Sequence, residues 1–524
     1  MAKCIMVQGT SSNAGKSVLV AALCRIYSRR GYKVAPFKSQ NMSLNSHITK
    51  ENGEIAIAQV LQAEAADIEP NVHMNPILLK PKGNFTSQVI IQGKVISEMN
   101  FYQYQHDFRE TALKAIEESL NILKEEYDII IIEGAGSPAE INMRKEDLAN
   151  MEIAHLADAD VLLVADIDKG GVFASIAGTF SLLDSYDRER LKAVVINKFR
   201  GNLDILLPGV EKIEKIINVP VLGVLPYDNS LKLPEEDSAS LHEHKFDSNK
   251  EIIIGVIKLP KIANFTDIDP FEFEEDIGLK LIDIDDEIKE VDGIIIPGTR
   301  NAVEDLLELK KTGMDGKIKK LAKDIPIFGI SGGYQILGEK IHNISRKTGE
   351  KKTVDGLGLL KMETFLKDDS NQDKIVEQSS GTIMSNNSSK SNLSSSPNLF
   401  NNIFSSIKGE EIKGYEIHEG ITKLTGSQPL LKIKKGVGNS KSSEYDGAIE
   451  KNVFGSYLHG IFHNYNFRKE FLNYLREKKG LKPKVDDDPY EAKKDYSIEK
   501  LAKIVENNLD MEFIDNLIKK NNKK

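Results

Sequence analysis

A glycine-rich loop near the start of the chain has the residues needed to bind phosphate. Residues 9–17 read GTSSNAGKS, between an apolar, strand-like stretch at 3–8 and an apolar helical pattern at 17–30. The spacing between the glycines is one residue longer than in the common P-loop, and the Gly-Lys-Ser ending is kept. We expect Lys16 to neutralise the β- and γ-phosphates of ATP and Ser17 to bind Mg²⁺, while backbone N–H groups hold phosphate oxygens. The other loop residues predicted to contact the nucleotide are Gly9, Thr10, Asn13 and Gly15.

A carboxylate follows the next strongly apolar stretch. Residues 128–132 read DIIII, and Glu133 comes directly after them, ahead of Gly134-Ala135-Gly136. Ligands gather at the carboxyl ends of parallel strands, and the glycines permit close backbone approach. The sequence therefore predicts Glu133 as a second Mg²⁺ ligand.

A second candidate site lies in the other half of the chain. Residues 329–335 read GISGGYQ, which resembles the strand-turn-helix elbow of triad-type glutamine amidotransferases, with Ser331 where those enzymes carry a cysteine nucleophile. His459 would be its base. Residue 461 is Ile rather than the Glu that orients the histidine in many related amidotransferases, so we expect a serine to receive little help from a relay. Cys4 and Cys24 are remote in sequence and are predicted to be packing residues.

Three interpretations of Ser331 are open. A serine hydroxyl must lose its proton during attack, whereas a cysteine at a helix N-terminus can already be largely thiolate. In the first interpretation, glutaminase activity is absent, and nitrogen comes from free ammonia or a separate glutaminase. In the second, glutaminase activity persists as weak serine-based hydrolysis. The third interpretation is an error or a deliberate substitution at this position. The glycine backbone around Ser331 keeps its potential as an oxyanion hole in each case.

Composition limits the classes of function. The 524 residues include 79 acidic and 70 basic side chains, for a formal charge of −9, which argues against nucleic-acid binding by bulk positive charge. No apolar run approaches the length of a membrane span, and no signal-peptide pattern is present at the N-terminus. Two cysteines cannot form a disulfide framework. We expect a cytoplasmic protein without a membrane partner, for which a homo-oligomer is one possible state.

The order of apolar stretches predicts two doubly wound α/β domains. Buried strands separated by stretches long enough for crossover helices are predicted at 3–8, 128–132, 161–165, 193–196 and 219–224, and again at 252–257, 293–296 and 325–328. The predicted domains are an ATP-dependent P-loop domain at 1–240, a linker at 241–251, an amidotransferase-like domain at 252–480 and a C-terminal helical region at 481–524. Within the second domain, residues 367–406 are rich in Ser, Asn, Asp and Lys and are predicted to be a disordered insertion.

Several motifs together resemble the cobyric acid synthase family of cobalamin-biosynthesis glutamine amidotransferases. The resemblance runs from about residue 3 to 515, apart from the polar insertion. The segments that carry it are PFKSQNM at 36–42, AEAA at 63–66, MNPILLKP at 74–81, EGAGSPAE at 133–140, DKGGVF at 168–173, LPEEDS at 233–238, NFTD at 264–267 and GYEIHEG at 414–420.

The resemblance implies an ATP-dependent ligase with an N-terminal domain like dethiobiotin synthetase. Such an enzyme amidates the b, d, e and g carboxylates of adenosylcobyrinic acid a,c-diamide through acyl phosphates, with nitrogen from glutamine or ammonia. By similarity Lys38 would lie near the transferred phosphoryl group, Asn197 near the adenine, and Glu54 near metal or substrate. The cationic side chains expected to attract the carboxylates of the corrin substrate are Lys80, Arg144, Lys169 and Arg200.

Three alternatives are kept. Cobyrinic acid a,c-diamide synthase shares the architecture, although the segments at 37–41 and 233–238 favour the cobyric acid group. A P-loop ATPase switch would lack the amidotransferase half and usually carries a lysine early in its phosphate loop, where this chain has Thr10 and Ser11. A corrinoid-binding scaffold without amidating activity would show no ATP hydrolysis stimulated by substrate.

Overall fold

A computed structural model of the chain describes residues 2–83, 86–100, 102–233, 249–345, 351–368, 374–384, 403–485 and 488–519. Most of the predicted linker at 241–251 lies outside these ranges. The described residues form two compact units. Unit 1 contains Met1–Ser43, Gly53–Glu236 and Glu491–Lys524, and unit 2 contains Leu44–Asn52 and Asp237–Tyr490.

The strands are numbered in chain order. Up to residue 226 they are β1 Lys3–Gly9, β2 Val34–Phe37, β3 Gln40–Met42, β4 Ser46–Ile48, β5 Glu54–Ala56, β6 Ile77–Gly83, β7 Thr86–Ile91, β8 Lys94–Asn100, β9 Ile129–Glu133, β10 Asp160–Asp166, β11 Leu191–Phe199 and β12 Val221–Pro226. Beyond residue 250 they are β13 Ile252–Lys258, β14 Ile277–Asp283, β15 Gly293–Ile296, β16 Ile327–Ile330, β17 Lys340–Ser345, β18 Lys351–Asp355, β19 Met362–Asp368, β20 Ile375–Ile383, β21 Glu411–His418, β22 Ile421–Leu424, β23 Leu431–Lys435, β24 Tyr445–Asp446, β25 Ala448–Glu450, β26 Val453–Ser456 and β27 Leu458–His459.

The α-helices are numbered in the same way. They are α1 Lys16–Arg29, α2 Ile57–Ala65, α3 Arg109–Glu126, α4 Met151–Ala157, α5 Val172–Leu182, α6 Ser185–Arg188, α7 Leu203–Ile217, α8 Asp269–Glu272, α9 Ala302–Thr312, α10 Met314–Leu321, α11 Gly332–Leu337, α12 Tyr465–Lys478, α13 Pro489–Asn508 and α14 Met511–Lys519. None of the helices in the described ranges is long and apolar enough to cross a bilayer.

Unit 1 is built on a parallel sheet of order β12-β11-β10-β1-β9-β2. Its central strands are buried along nearly their whole length, as expected for a sheet covered on both faces. Val7 pairs with Glu133, so the phosphate loop that follows β1 begins beside the end of β9. The predicted parallel α/β sheet is confirmed. A second sheet of order β3-β6-β7-β8, in which β6, β7 and β8 are antiparallel neighbours, was not predicted.

Unit 2 contains a second parallel sheet, of order β14-β13-β15-β16-β26-β25, with only β25 antiparallel to its neighbour. The predicted second α/β sheet is therefore also confirmed. Ile330 pairs with Ser456, so the residues that follow β16 and β26 leave the sheet side by side. An antiparallel sheet of order β24-β23-β20-β21-β27 lies in the same unit and includes His459 in its last strand.

The structure corrects the prediction of a disordered insertion at 367–406. Residues 375–383 form β20, which pairs with β21 on one side and with β23 on the other, and Ile403 and Phe404 are buried in the unit 2 core. Buried and half-buried residues alternate in the second half of β20, and the buried positions include Ser379 and Gly381, so low average hydrophobicity concealed the strand. Residues 369–373 and 385–402 of that prediction lie outside the described ranges.

The C-terminal helices belong to the core of unit 1. Ile498, Leu501 and Val505 of α13, with Ile514 of α14, are buried in one cluster with residues of β1 and α1. Cys24 is buried in that cluster and Cys4 in the core on the other face of the sheet, and burial raises both thiol pKa values, that of Cys4 to about 11. Both cysteines are thus core residues, as predicted.

Substitution Ile514→Ala tests whether α14 stabilises unit 1. Ile514 is fully buried, and loss of its side chain is expected to lower the free energy of unfolding by about 2–5 kcal/mol. The matched control is Ile205→Ala, because Ile205 lies in α7 and is 81% exposed, and its change should stay within about 0.5 kcal/mol. Urea unfolding followed by circular dichroism measures both. Equal midpoints for the two variants would contradict this role.

Candidate functional site

The phosphate loop of unit 1 is held in place by hydrogen bonds and by a close approach that only glycine permits at residue 15. Gly15 has φ +102° immediately before α1, and a Cβ there would lie 2.0 Å from Asn197 Nδ2. Asn197 donates from that nitrogen to the carbonyl of Ala14 at 2.9 Å, and the N–H of Thr10 donates to Val164 at 2.9 Å. Asn197, expected near the adenine by similarity, therefore braces the phosphate loop.

Lys16 lies across this loop. Its ammonium donates to the carbonyls of Ser11 and Gly136 at 3.0 and 3.1 Å, and the residue is buried. A Cβ at Gly9 would lie 3.0 Å from Nζ of Lys16, so the loop closes tightly around the amine. Both carbonyls orient the ammonium within the loop that is predicted to hold phosphate.

Glu133 gathers three donors at the end of β9. Ser17 Oγ and Lys38 Nζ each donate to Oε1 at 2.8 Å, and Gln62 Nε2 donates to Oε2 at 2.5 Å. The carboxylate is 1% exposed, so each contact is made in a low-dielectric setting. The structure thus brings Ser17, Glu133 and Lys38 together.

Gln62 was missed by sequence reasoning. It lies in α2 next to the Ala63-Glu64-Ala65-Ala66 segment, where Gln59 and Gln62 are two buried amides among apolar residues, and nothing in the sequence distinguished Gln62 from Gln59. The residues around Glu133 fit Mg²⁺, because a hydroxyl and a carboxylate oxygen approach within 2.8 Å beside a phosphate loop. Ser17 and Glu133 are the oxygen donors that would hold it.

The other cations expected to meet a polycarboxylate have varied surroundings. Lys80 forms a buried ion pair with Glu54, the residue expected near metal or substrate. Arg144 pairs with Asp184 and Asp187. Arg200 pairs with Asp168 at 3.1 Å and lies over the ring of Tyr227, while Lys169 is exposed.

The elbow of unit 2 has the backbone of a nucleophile turn. Ser331 joins β16 to α11 with φ +51° and ψ −111°, a conformation that non-glycine residues rarely adopt. Its N–H donates to the carbonyl of Ser456 at 2.8 Å, and its hydroxyl donates to the carbonyl of Ile417 at 3.3 Å. A Cβ at Gly333 would lie 2.1 Å from the carbonyl of Ile296, so the elbow admits only glycine there.

His459 is oriented by a carboxylate, contrary to our expectation. Its Nδ1 lies 2.7 Å from Asp267 Oδ2, and Asp267 Oδ1 accepts from the N–H of Gly460 at 2.6 Å. Both side chains are 1% exposed. We expected little help from a relay because residue 461 is not an acid, whereas the structure provides a carboxylate from the turn after β13. The NFTD segment contained Asp267, although nothing in its spacing connected it with His459.

One turn contacts both the histidine and the elbow. A Cβ at Gly298 would lie 3.0 Å from His459 Cε1 and 3.8 Å from its Nε2. A Cβ at Gly332 would lie 2.5 Å from Thr299 Cγ2. The residues after β15 therefore pack against both His459 and Gly332, the residue that follows Ser331.

The end of β21 forms a wall beside the elbow. His418 stacks on Tyr457, with ring centroids 3.7 Å apart, and its Nε2 lies 3.2 Å from Glu416. Burial raises the pKa of Glu416, but hydrogen bonds from His418 and backbone groups outweigh it and leave the pKa below its ordinary value. Gln335 donates to the carbonyl of Glu419 at 2.9 Å. The GYEIHEG segment thus lies beside the elbow, and Nδ1 of His418 is buried there without a hydrogen-bond partner among the described residues.

Comparison with protein families matches both units. Residues 5–241 match a CobQ/CobB/MinD/ParA nucleotide binding domain, and residues 253–467 match a CobB/CobQ-like glutamine amidotransferase domain. A probable cobyric acid synthase of Methanothermobacter thermautotrophicus is 59% identical over 518 residues, covering 99% of each chain. A probable cobyric acid synthase of Methanosphaera stadtmanae is 56% identical, over 99% of this chain and 100% of its own.

A bacterial relative extends the comparison. A cobyric acid synthase of Clostridium botulinum is 46% identical over 524 residues, with 99% of each chain covered. The similarity therefore spans both units in archaeal and bacterial proteins alike. By sequence similarity along its full length, the chain belongs to the cobyric acid synthase family of ATP-dependent amide-forming ligases.

Proposed function

We propose that this chain converts the b, d, e and g carboxylates of adenosylcobyrinic acid a,c-diamide to amides through acyl phosphates, with ammonia as the reacting nitrogen source. The observation that carries the proposal is the convergence of Ser17, Lys38 and Gln62 on Glu133 beside the phosphate loop. The names of the full-length relatives support the choice of a corrinoid substrate. A cytoplasmic location is part of the proposal, because ATP and glutamine are available there.

The synthetase reaction needs positioning and charge neutralisation. A substrate carboxylate oxygen bonds to the γ-phosphorus of ATP as the bond to the bridging oxygen breaks, which gives an acyl phosphate and ADP. The lone pair of ammonia then attacks the acyl carbon, phosphate leaves with the bonding electrons, and the nitrogen releases a proton. Lys16 and Lys38 would stabilise charge on the transferred group. Ser17 and Glu133 would hold Mg²⁺, which supplies further charge neutralisation when bound.

The amidotransferase unit supports a second candidate for the nitrogen source, slow hydrolysis of glutamine by Ser331. His459 Nε2 would take the hydroxyl proton as Oγ attacks the amide carbon, and would return it to the departing ammonia. Water then cleaves the resulting glutamyl ester. The hydrogen bond between His459 and Asp267 favours this candidate because it orients the ring that would act as the base. N–H groups at the start of α11 could bind the oxyanion.

The alternative functions fit the observations less well. The function of a P-loop switch protein does not explain the elbow, His459 and Asp267 in unit 2. The a,c-diamide synthase alternative is disfavoured by the names of the full-length relatives. A scaffold without amidating activity does not explain the donors assembled around Glu133.

Substitution Ser331→Cys tests the nitrogen source. In ATP-dependent amidation of adenosylcobyrinic acid a,c-diamide, followed by mass spectrometry, the unmodified protein should use ammonium far better than glutamine. Ser331→Cys should raise glutamine-dependent turnover by about 100-fold or more, because a thiolate needs no deprotonation during attack. The rate with ammonium is the internal control and should not change. Equal use of both donors by the unmodified protein would instead establish Ser331 as a competent nucleophile.

Substitutions Lys16→Ala and Glu133→Gln test the synthetase site. Each should reduce ammonium-dependent amidation by about 100-fold or more, since each removes charge aligned with the phosphates or Mg²⁺. Substrate-stimulated release of ADP should fall in parallel. The control is Lys212→Ala, at an exposed position of α7, which should keep the full rate. Normal amidation by Lys16→Ala would overturn the assignment of this loop.

Substitution Asp267→Asn, made together with Ser331→Cys, tests the relay. Loss of the carboxylate should lower glutamine hydrolysis by about 100- to 10,000-fold and change the pH dependence of kcat, because the imidazolium loses its counter-ion. Ammonium-dependent amidation should be unaffected. Asp283→Asn is the control, because Asp283 is exposed at the end of β14. If glutamine hydrolysis survived Asp267→Asn intact, the acid would have no role in the reaction.

A further inference from the structure

The turn after β15 carries an arginine with unpaired donors. Nε and Nη1 of Arg300 are both buried, and neither has a hydrogen-bond partner among the residues that the structure describes. The residue as a whole is half-buried, so it is not sealed within the core. Buried charged groups are almost always paired, because removal of a charge from water is costly. Arg300 therefore retains N–H groups from which a small anion could accept hydrogen bonds.

Arg300 belongs to the turn that packs against both the base and the elbow. A Cβ at Gly298 would lie 3.0 Å from Cε1 of His459. Thr299, the next residue, packs against Gly332, where a Cβ would lie 2.9 Å from the Thr299 carbonyl oxygen. Arg300 follows directly in the chain. The guanidinium is thus carried by the same short turn that borders the candidate amidotransferase site.

Hydrogen bonds fix the backbone of this turn. The N–H of Arg300 donates to the carbonyl of Lys261 at 3.1 Å. The hydroxyl of Thr299 donates to Asp305 and accepts from the N–H of Asn301 at 3.1 Å. The first turn of α9 and the segment after β13 therefore set the position from which the Arg300 side chain extends.

Asp305 acts on the guanidinium without a hydrogen bond to it. The carboxylate is 1% exposed, and its Oδ2 accepts from the Thr299 hydroxyl and from the N–H of Lys261. Its Oδ1 has no partner within the described ranges. Burial lowers the pKa of Arg300, and the negative charge of Asp305 opposes that shift. Asp305 thus favours the charged guanidinium while the donors at Nε and Nη1 stay available to another acceptor.

A carboxylate is the ligand group that fits these donors. Guanidinium N–H groups bind carboxylate oxygens through charge-assisted, often bidentate hydrogen bonds. Glutamine carries an α-carboxylate in addition to its reacting amide, and the glutamine amidotransferase match at 253–467 includes Arg300. A site that binds the carboxylate as well as the amide selects the free amino acid over other primary amides, because an analogue without the carboxylate leaves buried donors unpaired.

We propose that Arg300 binds the α-carboxylate of glutamine in the amidotransferase unit. Arg300 determines specificity in this scheme and takes no part in bond breaking, which is assigned to Ser331 and His459. Thr299 and Asp305 are positioning residues, since they hold the turn. The proposal rests on the proposed function for the use of glutamine at the elbow, but binding is measurable without amidation.

Isothermal titration calorimetry of the full-length Ser331 protein tests the contact. The probes are L-glutamine and 4-aminobutanamide, which is glutamine without its α-carboxylate. We expect the unmodified protein to bind glutamine about 10- to 100-fold more tightly than 4-aminobutanamide. Arg300→Ala should lower the affinity for glutamine to about that for 4-aminobutanamide, which should itself hardly change. Arg300→Lys keeps the charge without the planar donor geometry and should retain part of the preference.

The matched control is Lys311→Ala. Lys311 is a cation of α9 whose side chain is 73% exposed, so its loss should leave the affinity for glutamine unchanged. Circular dichroism establishes that each variant is folded. Three results would each overturn the proposal: no measurable binding of glutamine, equal affinity of the unmodified protein for the two probes, or equal loss of both probes in Arg300→Ala.

Kinetics in the Ser331→Cys protein give a second readout. Arg300→Ala should raise KM for glutamine about 10- to 100-fold with kcat nearly unchanged, because the contact to the carboxylate is the same in the ground state and the transition state. The rate with ammonium should not change. A fall in kcat with KM unchanged would contradict a binding role. Failure of corrinoid amidation alone would refute only the proposed function, because the calorimetry uses neither ATP nor corrinoid.

Discussion

The buried carboxylate of Glu133 is the constraint on which the nucleotide-binding unit depends. A charge removed from water is stable only when it is paired and hydrogen-bonded, and here the partners come from separate parts of the chain. Ser17 lies at the start of α1, Lys38 follows β2, and Gln62 lies in α2. Satisfying one carboxylate therefore fixes the phosphate loop, the strand ends and a helix in one arrangement.

In the amidotransferase unit, the buried carboxylate of Asp267 likewise holds separate parts of the chain together. One carboxylate oxygen of Asp267 contacts the ring of His459 and the other accepts from the N–H of Gly460. Asp267 therefore orients both the imidazole ring and the end of the strand that carries it. The backbone at Ser331 is strained. It is held by the hydrogen bond from the Ser331 N–H to the Ser456 carbonyl and by the close contacts of Gly332 and Gly333. The backbone of the elbow is thus well supported although residue 331 is a serine.

One short stretch of chain belongs to unit 2 although the chain on either side of it belongs to unit 1. Leu44–Asn52 is flanked by amides that lead to Glu133, and within unit 2 it supports Tyr415 and Asn264, the residues behind His459 and before Asp267. Its position gives a physical reason for a nucleotide-binding sequence to contain residues that lie in the amidotransferase unit.

The sequence by itself determined the parallel sheets, the phosphate loop and the positions of Glu133 and Ser331, because these depend on apolar periodicity and on glycine spacing within short stretches of chain. It did not reveal β20, whose alternating pattern was hidden in a polar composition, or Gln62, whose amide becomes significant only beside Glu133. Only the tertiary structure decided that Asp267 serves His459, since the two are 192 residues apart in the chain. Local patterns specify local elements, whereas a shared hydrogen bond between distant residues exists only after the elements that carry them have packed together.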